Sequence, residues 1–271
     1  MKKILALLLA LFMIATLVAC GEKTNEENSL ETIKSNENVF SNNNVGTFTY
    51  AVSADGHYEI TGYNLNTATE HEVVIPETIE DVLVTSIADD AFKSIASITA
   101  VTVPSSVIHI GDFAFYDCDK LTKVTLTDSV VTIGVAAFSE CDLLTSLTLP
   151  KNLSVISDQL FWNCTALSEV VFPETLAVIG EGAFYNCDAL TSVSIPAGTT
   201  EVKKTAFYGC DSVSSFTVPE SVKTIGEAAF AGCKAEKVVF NTKAGSYFAD
   251  YFAEFFAPSV DSYANYELKT N

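Results

Sequence analysis

The chain of 271 residues contains no arginine: its 15 basic residues are all lysine, set against 34 carboxylates for a formal charge of −19. Nucleic-acid recognition leans on cations that neutralise phosphates and on arginine forks that read guanine, so no nucleic-acid partner is expected. The same absence removes the bidentate fork that grips carboxylates and phosphates. Histidine is scarce as well. His57, His71 and His109 stand apart, none at the spacing of a zinc pair. No stretch reads as Gly-x-Ser-x-Gly, as His-Glu-x-x-His or as a phosphate-binding glycine loop, so no enzyme activity, cofactor or metal is implied. The apolar run at residues 4–18 is about 15 residues long, against the roughly 20 a spanning helix needs.

What is present begins with that run. Lys2 and Lys3 precede it, and Leu17-Val18-Ala19-Cys20 closes it with small residues before a cysteine, the layout of a signal peptide over residues 1–19. Leu-Val-Ala-Cys-Gly resembles a bacterial lipobox. That resemblance implies cleavage before Cys20 and a diacylglycerol on its sulfur. It also implies an extracytoplasmic body held at the cell membrane or outer membrane through that lipid only. Two or three acyl chains anchor stably where one is marginal. Cleavage removes two lysines and no acids, leaving 13 lysines against 34 carboxylates, a formal charge of −21. Residues 21–45 are rich in Asn, Glu and Ser and too poor in apolar groups to offset their ordering entropy. Residues 20–46 therefore read as a lipidated flexible tether.

From Thr47 the pattern changes. Thr47-Phe48-Thr49-Tyr50-Ala51-Val52 and Tyr58-Glu59-Ile60-Thr61-Gly62-Tyr63 both alternate, with Asp55-Gly56 between them, the signal of a type I′ hairpin. Residues 47–75 are thus expected to form a β cap over the first strand edge of a repeat array.

Residues 76–240 repeat. Phenylalanine stands at 92, 115, 138, 161, 184, 207 and 230, every step being 23. Cysteine stands at 118, 141, 164, 187, 210 and 233, and proline at 104, 150, 173, 196 and 219 with Thr127 in the gap. Three series sharing one period mark a solenoid. In the unit 167–190, Leu167, Val170 and Phe172 give the spacing of a leucine-rich-repeat strand, and Pro173 ends it because it cannot donate into a ladder. Leu176 and Ile179 suggest a second short strand. Residues 181–186 then make one helical or 3₁₀ turn with Ala183 and Phe184 inward. The residue before each cysteine is Asp117, Glu140, Asn163, Asn186, Gly209 or Gly232. Asp, Asn and Gly tolerate the left-handed backbone of such a turn, and Glu140 is the exception. Strands stacked about 4.8 Å apart give seven coils a length on the order of 35 Å.

Both ends depart from the repeat. Pro76 lies 16 residues before Phe92 where later coils place 11, a five-residue insertion around 80–84. Residues 241–271 are read as a C-terminal helical cap and tail. Tyr247, Tyr251 and Phe255 form one aromatic row at helical spacing, and Phe248, Phe252 and Phe256 form a second beside it. The alternative is a docking helix for a partner or membrane surface.

Val222-Lys-Thr-Ile225-Gly226-Glu-Ala-Ala229-Phe230-Ala-Gly232-Cys233 and Leu190-Thr-Ser-Val193-Ser-Ile195-Pro196 resemble the BspA-like (Treponema pallidum type) leucine-rich repeats. The resemblance covers roughly residues 70–256. It implies a β-rich solenoid of right-handed parallel-β coils on a bacterial surface, in a family associated with attachment to host matrix proteins or to other cells. It carries over no catalytic residue.

Three columns invite a chemical reading. Cysteines one coil apart would bring their Cα atoms to about 5 Å, within disulfide reach, and an extracytoplasmic site permits the bond. In-register side chains point the same way, however, and each cysteine holds an apolar phase, where a free thiol behaves as a small hydrophobe. Buried free thiols are expected. Asp119, Asp142, Asp188 and Asp211, broken by Thr165 and Lys234, form a carboxylate column. It either binds Ca²⁺ weakly between coils or caps local backbone N–H groups, and the second is favoured. Tyr116, Trp162, Tyr185 and Tyr208 follow the buried phenylalanines, with Ser139 and Ala231 in the other coils. Such rings anchor interfaces with proteins or sugars, or simply cover the turn.

The strand face adds Thr122, Lys123, Thr125, Thr145, Ser146, Thr148, Thr191, Ser192 and Ser194, a flat polar sheet suited to broad, shallow contact. The leading expectation is a surface-held binding or adhesion module for a protein or glycan. A cell-envelope scaffold without a specific ligand and a solute-binding lipoprotein are the alternatives.

Overall fold

The computed structural model describes residues 38–42, 46–65, 69–255 and 265–270. The expected signal peptide, Cys20 and residues 21–37 of the tether lie outside the described residues. In chain order the first strands are β1 Asn38–Asn42, β2 Gly46–Val52, β3 Tyr58–Leu65, β4 His71–Val74, β5 Thr78–Ile79 and β6 Val82–Ile87. Each coil then adds a longer strand and a two-residue one. These are β7 Ile98–Thr102 and β8 His109–Ile110, β9 Lys123–Thr125 and β10 Thr132–Ile133, β11 Ser146–Thr148 and β12 Val155–Ile156. They continue as β13 Glu169–Val171 and β14 Val178–Ile179, β15 Ser192–Ser194 and β16 Glu201–Val202, β17 Ser215–Thr217 and β18 Thr224–Ile225. The series closes with β19 Val238–Thr242, helix α1 Tyr247–Phe255 and β20 Tyr266–Thr270.

The pairing follows the sequence period. Val101 lies opposite Val124, Leu147 opposite Val170, Ile156 opposite Ile179 and Val193 opposite Phe216, each a parallel pair offset by 23 residues. Strand alternation turns Val124, Leu147, Val193 and Phe216 inward and their neighbours outward. The fold is therefore the parallel-β solenoid that the period predicts. Behind the strands the repeat phenylalanines stack face to face from Phe92 to Phe230, with ring centroids 4.9 to 6.1 Å apart. All seven are fully buried.

The turn segment between each two-residue strand and the following cysteine differs from expectation. It is a run of turns, with no residue of the coils in a helix or 3₁₀ helix. Two backbone positions per coil are left-handed. One is the residue before cysteine, with φ of 58° at Asp117, 59° at Glu140, 57° at Asn163, 54° at Asn186, 71° at Gly209 and 79° at Gly232. The other had no sequence signal: Phe113, Ala136, Gln159, Gly182, Thr205 and Ala228. This alternation turns successive N–H groups toward the next coil. Gln159 donates to the Glu181 carbonyl at 2.8 Å, Phe161 to Ala183 at 2.8 Å and Asn163 to Tyr185 at 2.8 Å. The stitching satisfies backbone groups that burial would otherwise leave costly.

Both ends hold surprises. Residues 38–42, placed by composition in the tether, form β1 and pair antiparallel with β2. The Asp55-Gly56 loop is no type I′ turn: Gly56 alone is left-handed, at φ 84°, and its N–H donates to the Ser53 carbonyl. That is the three-residue loop in which a turn precedes a left-handed glycine. The two-residue hairpin with both central residues left-handed sits instead at Glu80-Asp81, between β5 and β6, and it accounts for the first coil's insertion. β3 then runs parallel to β6, occupying that strand's edge. At the other end Ser246 caps α1, its hydroxyl accepting the Ala249 N–H at 3.2 Å. Phe248, Tyr251 and Phe252 turn inward, with Phe248 edge-on to Phe230 at 5.5 Å, whereas Tyr247 is 42% exposed. The Phe255 and Phe256 side chains lie outside the described residues. The tail is not only helix. β20 adds a parallel strand beside β19.

Candidate binding surfaces

All nine candidate residues of the strand face are exposed: Thr122, Lys123, Thr125, Thr145, Ser146, Thr148, Thr191, Ser192 and Ser194. Not all of their polarity is available to a partner. Thr122 donates its hydroxyl back to the Thr99 carbonyl at 3.0 Å. Ser168 and Ser214, in the same column, donate to the carbonyls of Thr145 and Thr191 at 3.1 and 3.3 Å. In this column Thr122, Ser168 and Ser214 join coils through their hydroxyls, whereas Thr145 and Thr191 contribute only carbonyls. The freer hydroxyls are those further along each strand, at Thr125, Ser146, Thr148, Ser192 and Ser194.

The face is not one flat sheet. Among the described residues the ladder divides into β4-β7-β9, β11-β13 and β15-β17-β19-β20, leaving seams after β9 and after β13. The signature is the residue that closes each strand. Val103, Leu149, Ile195 and Val218 are buried, and each donates its N–H to the next coil. Leu126 and Phe172, which face the seams, make no such bond and are only partly buried. The second seam opens a recess of about 710 Å³, within the range of ligand sites. Val170, Phe172, Leu190 and Val193 line it, with Glu169, Glu174, Thr191, Ser192 and Ser194 on its walls. Phe172 meets Phe184 edge-on at 5.8 Å, and Val171 beside it is 47% exposed. The first seam holds a smaller recess, about 260 Å³, among Lys123, Thr125, Leu126, Ser146 and Thr148. The sequence marks neither seam clearly, since Leu126 and Phe172 fit the apolar period. The only hint is that Phe172 is the largest side chain at its phase.

On the turn side, Tyr116, Trp162, Tyr185 and Tyr208 are all half-buried. Three of them form one stack. Trp162 lies 3.9 Å from Tyr185 at an interplanar angle of 4°, and Tyr185 lies 5.1 Å from Tyr208 at 13°. Trp162 lies across Gly182, where a Cβ would come within 2.9 Å of its ring, so this coil requires glycine for space. Tyr116 stands outside that stack. It meets Phe113 edge-on at 5.8 Å, and the Lys93 ammonium sits 5.1 Å from the Phe113 centroid and 5.6 Å from that of Tyr116.

The cysteine column is internal. Cys118, Cys141, Cys164, Cys187, Cys210 and Cys233 are free and buried. The first five donate their thiols to the carbonyls of Phe92, Phe115, Phe138, Phe161 and Phe184 at 3.0 to 3.2 Å. Burial pushes the Cys118 and Cys164 thiols up to about 12 and Cys233 to about 11, and raises the other three as well. A buried thiol held so far from ionisation is a poor nucleophile. In the aspartate column, desolvation raises Asp119 and Asp188, seconded by Asp117 and Asp211 respectively, and Lys234 pairs with Asp211 at 2.8 Å. No three His, Cys, Asp or Glu side chains converge on a metal position among the described residues. No helix among them is long and apolar enough to cross a membrane.

The family model for the BspA type leucine rich repeat region matches residues 85–211 and 177–257, more than half of the chain. The crystal structure of the T. pallidum leucine-rich repeat protein is similar over 80% of this chain and 96% of that one, at 28% identity and a TM-score of 0.66. A leucine-rich repeat protein from Eubacterium ventriosum ATCC 27560 shares the fold at 24% identity and a TM-score of 0.60, over 73% of this chain and 52% of that one. No curated protein matches. Period, register and buried phenylalanine column agree with the family match, and the chain belongs to the BspA-type leucine-rich-repeat family.

Proposed function

We propose that this chain is a binding module of the bacterial surface, tethered through lipid on Cys20, that holds a protein partner on its strand face. The observation that carries the reading is the recess at the seam after β13, where apolar Val170, Phe172, Leu190 and Val193 are framed by exposed hydroxyls and the carboxylates Glu169 and Glu174. An apolar floor with a polar rim is the anatomy of an interface. The rim carboxylates and the formal charge of −21 left after cleavage, 13 lysines against 34 carboxylates, favour a partner with basic side chains around an apolar anchor. Membership of a repeat family whose proteins typically mediate protein interactions points the same way, and that family is generally non-enzymatic. In this reading the β2–β3 hairpin and α1 serve as caps that keep the ends of the stack from pairing with other chains.

The test uses cells displaying the full chain, assayed for attachment to immobilised extracellular proteins. Thr148→Lys with Ser194→Lys places bulk and positive charge on the exposed face. Attachment should fall at least tenfold while the melting temperature stays within a degree or two. A second reading, a scaffold without a ligand, draws on the hydroxyl column that Thr122, Ser168 and Ser214 commit to joining coils. Attachment that is absent, or indifferent to the double substitution, would favour it. A solute-binding role is the weaker alternative, because such proteins enclose their ligand.

A further inference from the structure

The aromatic column on the turn side skips a rung. Tyr116 and Trp162 occupy the same phase two coils apart, and the position between them is Ser139, which is buried. Its hydroxyl donates to the Trp162 carbonyl at 3.1 Å, so it fills none of the space that a ring at this phase would take. A recess of about 470 Å³ results. Tyr116 and Trp162 line it together with Phe113, and Ala136 and Ser139 border it as well. Polar side chains from three coils, Lys93, Glu140 and Gln159, complete the lining.

The dimensions select the occupant. Coils repeat at about 4.8 Å, so the two ring positions lie roughly 10 Å apart. One aromatic ring between them would make two contacts of about 5 Å, inside the favourable range for aromatic pairs. The intact part of the column already shows such contacts, at 3.9 and 5.1 Å. Lys93 is engaged, paired with Asp90 at 2.7 Å and lying over two rings. Glu140 leaves negative charge at the rim of an already acidic chain. We infer that this vacant rung receives an aromatic side chain from a partner protein, flanked on the partner by lysine or arginine. The site stands apart from the strand face, so neither depends on the other.

Trp162 is the single tryptophan of the chain and lines this recess, so its emission provides the readout. The full chain is titrated into the millimolar range with the amide of Lys-Tyr-Lys, with Lys-Ala-Lys amide and methyl glucoside as the other arms. The expected result is a saturable change with Lys-Tyr-Lys and at least tenfold weaker response to Lys-Ala-Lys. Ser139→Tyr supplies the missing ring from within and should abolish the saturation. Tyr116→Ala removes one wall without burying anything new and should weaken binding several-fold, which keeps the test decisive if the Ser139 variant folds poorly. Equal responses to both peptides, unchanged binding in the variants, no saturation, or saturation by the glucoside alone would each overturn the proposal.

Discussion

The two sides of each coil are built to different tolerances. On the turn side every coil sends N–H bonds to the next, every phenylalanine stacks, and five of the six repeat thiols reach the preceding coil's phenylalanine carbonyl. On the strand side the ladder of longer strands lapses twice, leaving Leu126, Val170 and Phe172 partly uncovered, and the ladder of two-residue strands lapses once, between β10 and β12. A solenoid is held by nearest-neighbour interfaces. Once one side fixes the stacking, the other is free to vary its outward residues and even its hydrogen bonding. Variation at no structural cost is what a recognition surface requires.

The largest test of that asymmetry is alkaline unfolding. An unfolded thiol ionises near pH 8.5, whereas folded Cys118 and Cys164 do so only at about 12 and Cys233 at about 11. The raised folded values mean that this stabilisation is complete below about pH 8.5. It is lost as pH rises toward 12, because only the unfolded chain gains thiolates. The slope is roughly 1.4 kcal/mol per pH unit for each thiol. Denaturant midpoints should fall steeply above pH 9, and less steeply in Cys118→Ala with Cys164→Ala. A midpoint that is flat to pH 11 would contradict the buried column.

Truncating one aromatic on each side gives the next contrast. Phe161→Ala opens a cavity in the stitched column and should cost about 3–5 kcal/mol. Phe172→Ala, at a seam and already partly solvated, should cost about half as much by the same denaturation assay. Comparable losses would show that the seam is packed like the core. Hydrogen exchange then sharpens the picture residue by residue. The Leu126 and Phe172 amides should exchange at least tenfold faster than those of Leu149 and Ile195, which donate to the next coil.

The smallest effect lies in one turn. Glu140 holds φ 59° where the other cysteine-bearing coils place Asp, Asn or Gly, and left-handed backbone costs most residues roughly 1–2 kcal/mol. Its carboxylate accepts the Asn163 amide at 2.9 Å, and Asn163 in turn accepts that of Asn186 at 3.1 Å. Glu140→Asn can keep this chain of bonds, and it should raise stability by about 1 kcal/mol in the same assay.

Much of the architecture was legible because the repeat is strict. Phe92 to Phe230 and Cys118 to Cys233 fixed which residues point inward, and Asp117, Asn163, Asn186, Gly209 and Gly232 announced a left-handed turn. The second left-handed position was hidden because Phe113, Gln159 and Thr205 carry no such preference. Stacking imposes the backbone there, through bonds to a coil 22 residues away. The two hairpins misled in the same way: Asp55-Gly56 suits a two-residue turn, yet strand pairing put that turn at Glu80-Asp81. Of the candidate sites, the aromatic phase was readable. What was not readable was that three of its four rings stack while Tyr116 stands off, leaving a rung empty at Ser139.

The sequence by itself determined the period, the inward columns and the absence of arginine, since each follows from residue type at a fixed spacing. Only the tertiary structure decided where the strand ladder parts and which rings touch. Those outcomes depend on how whole coils settle against one another, a balance of hydrogen bonds and packing between residues 23 apart. No single repeat contains it.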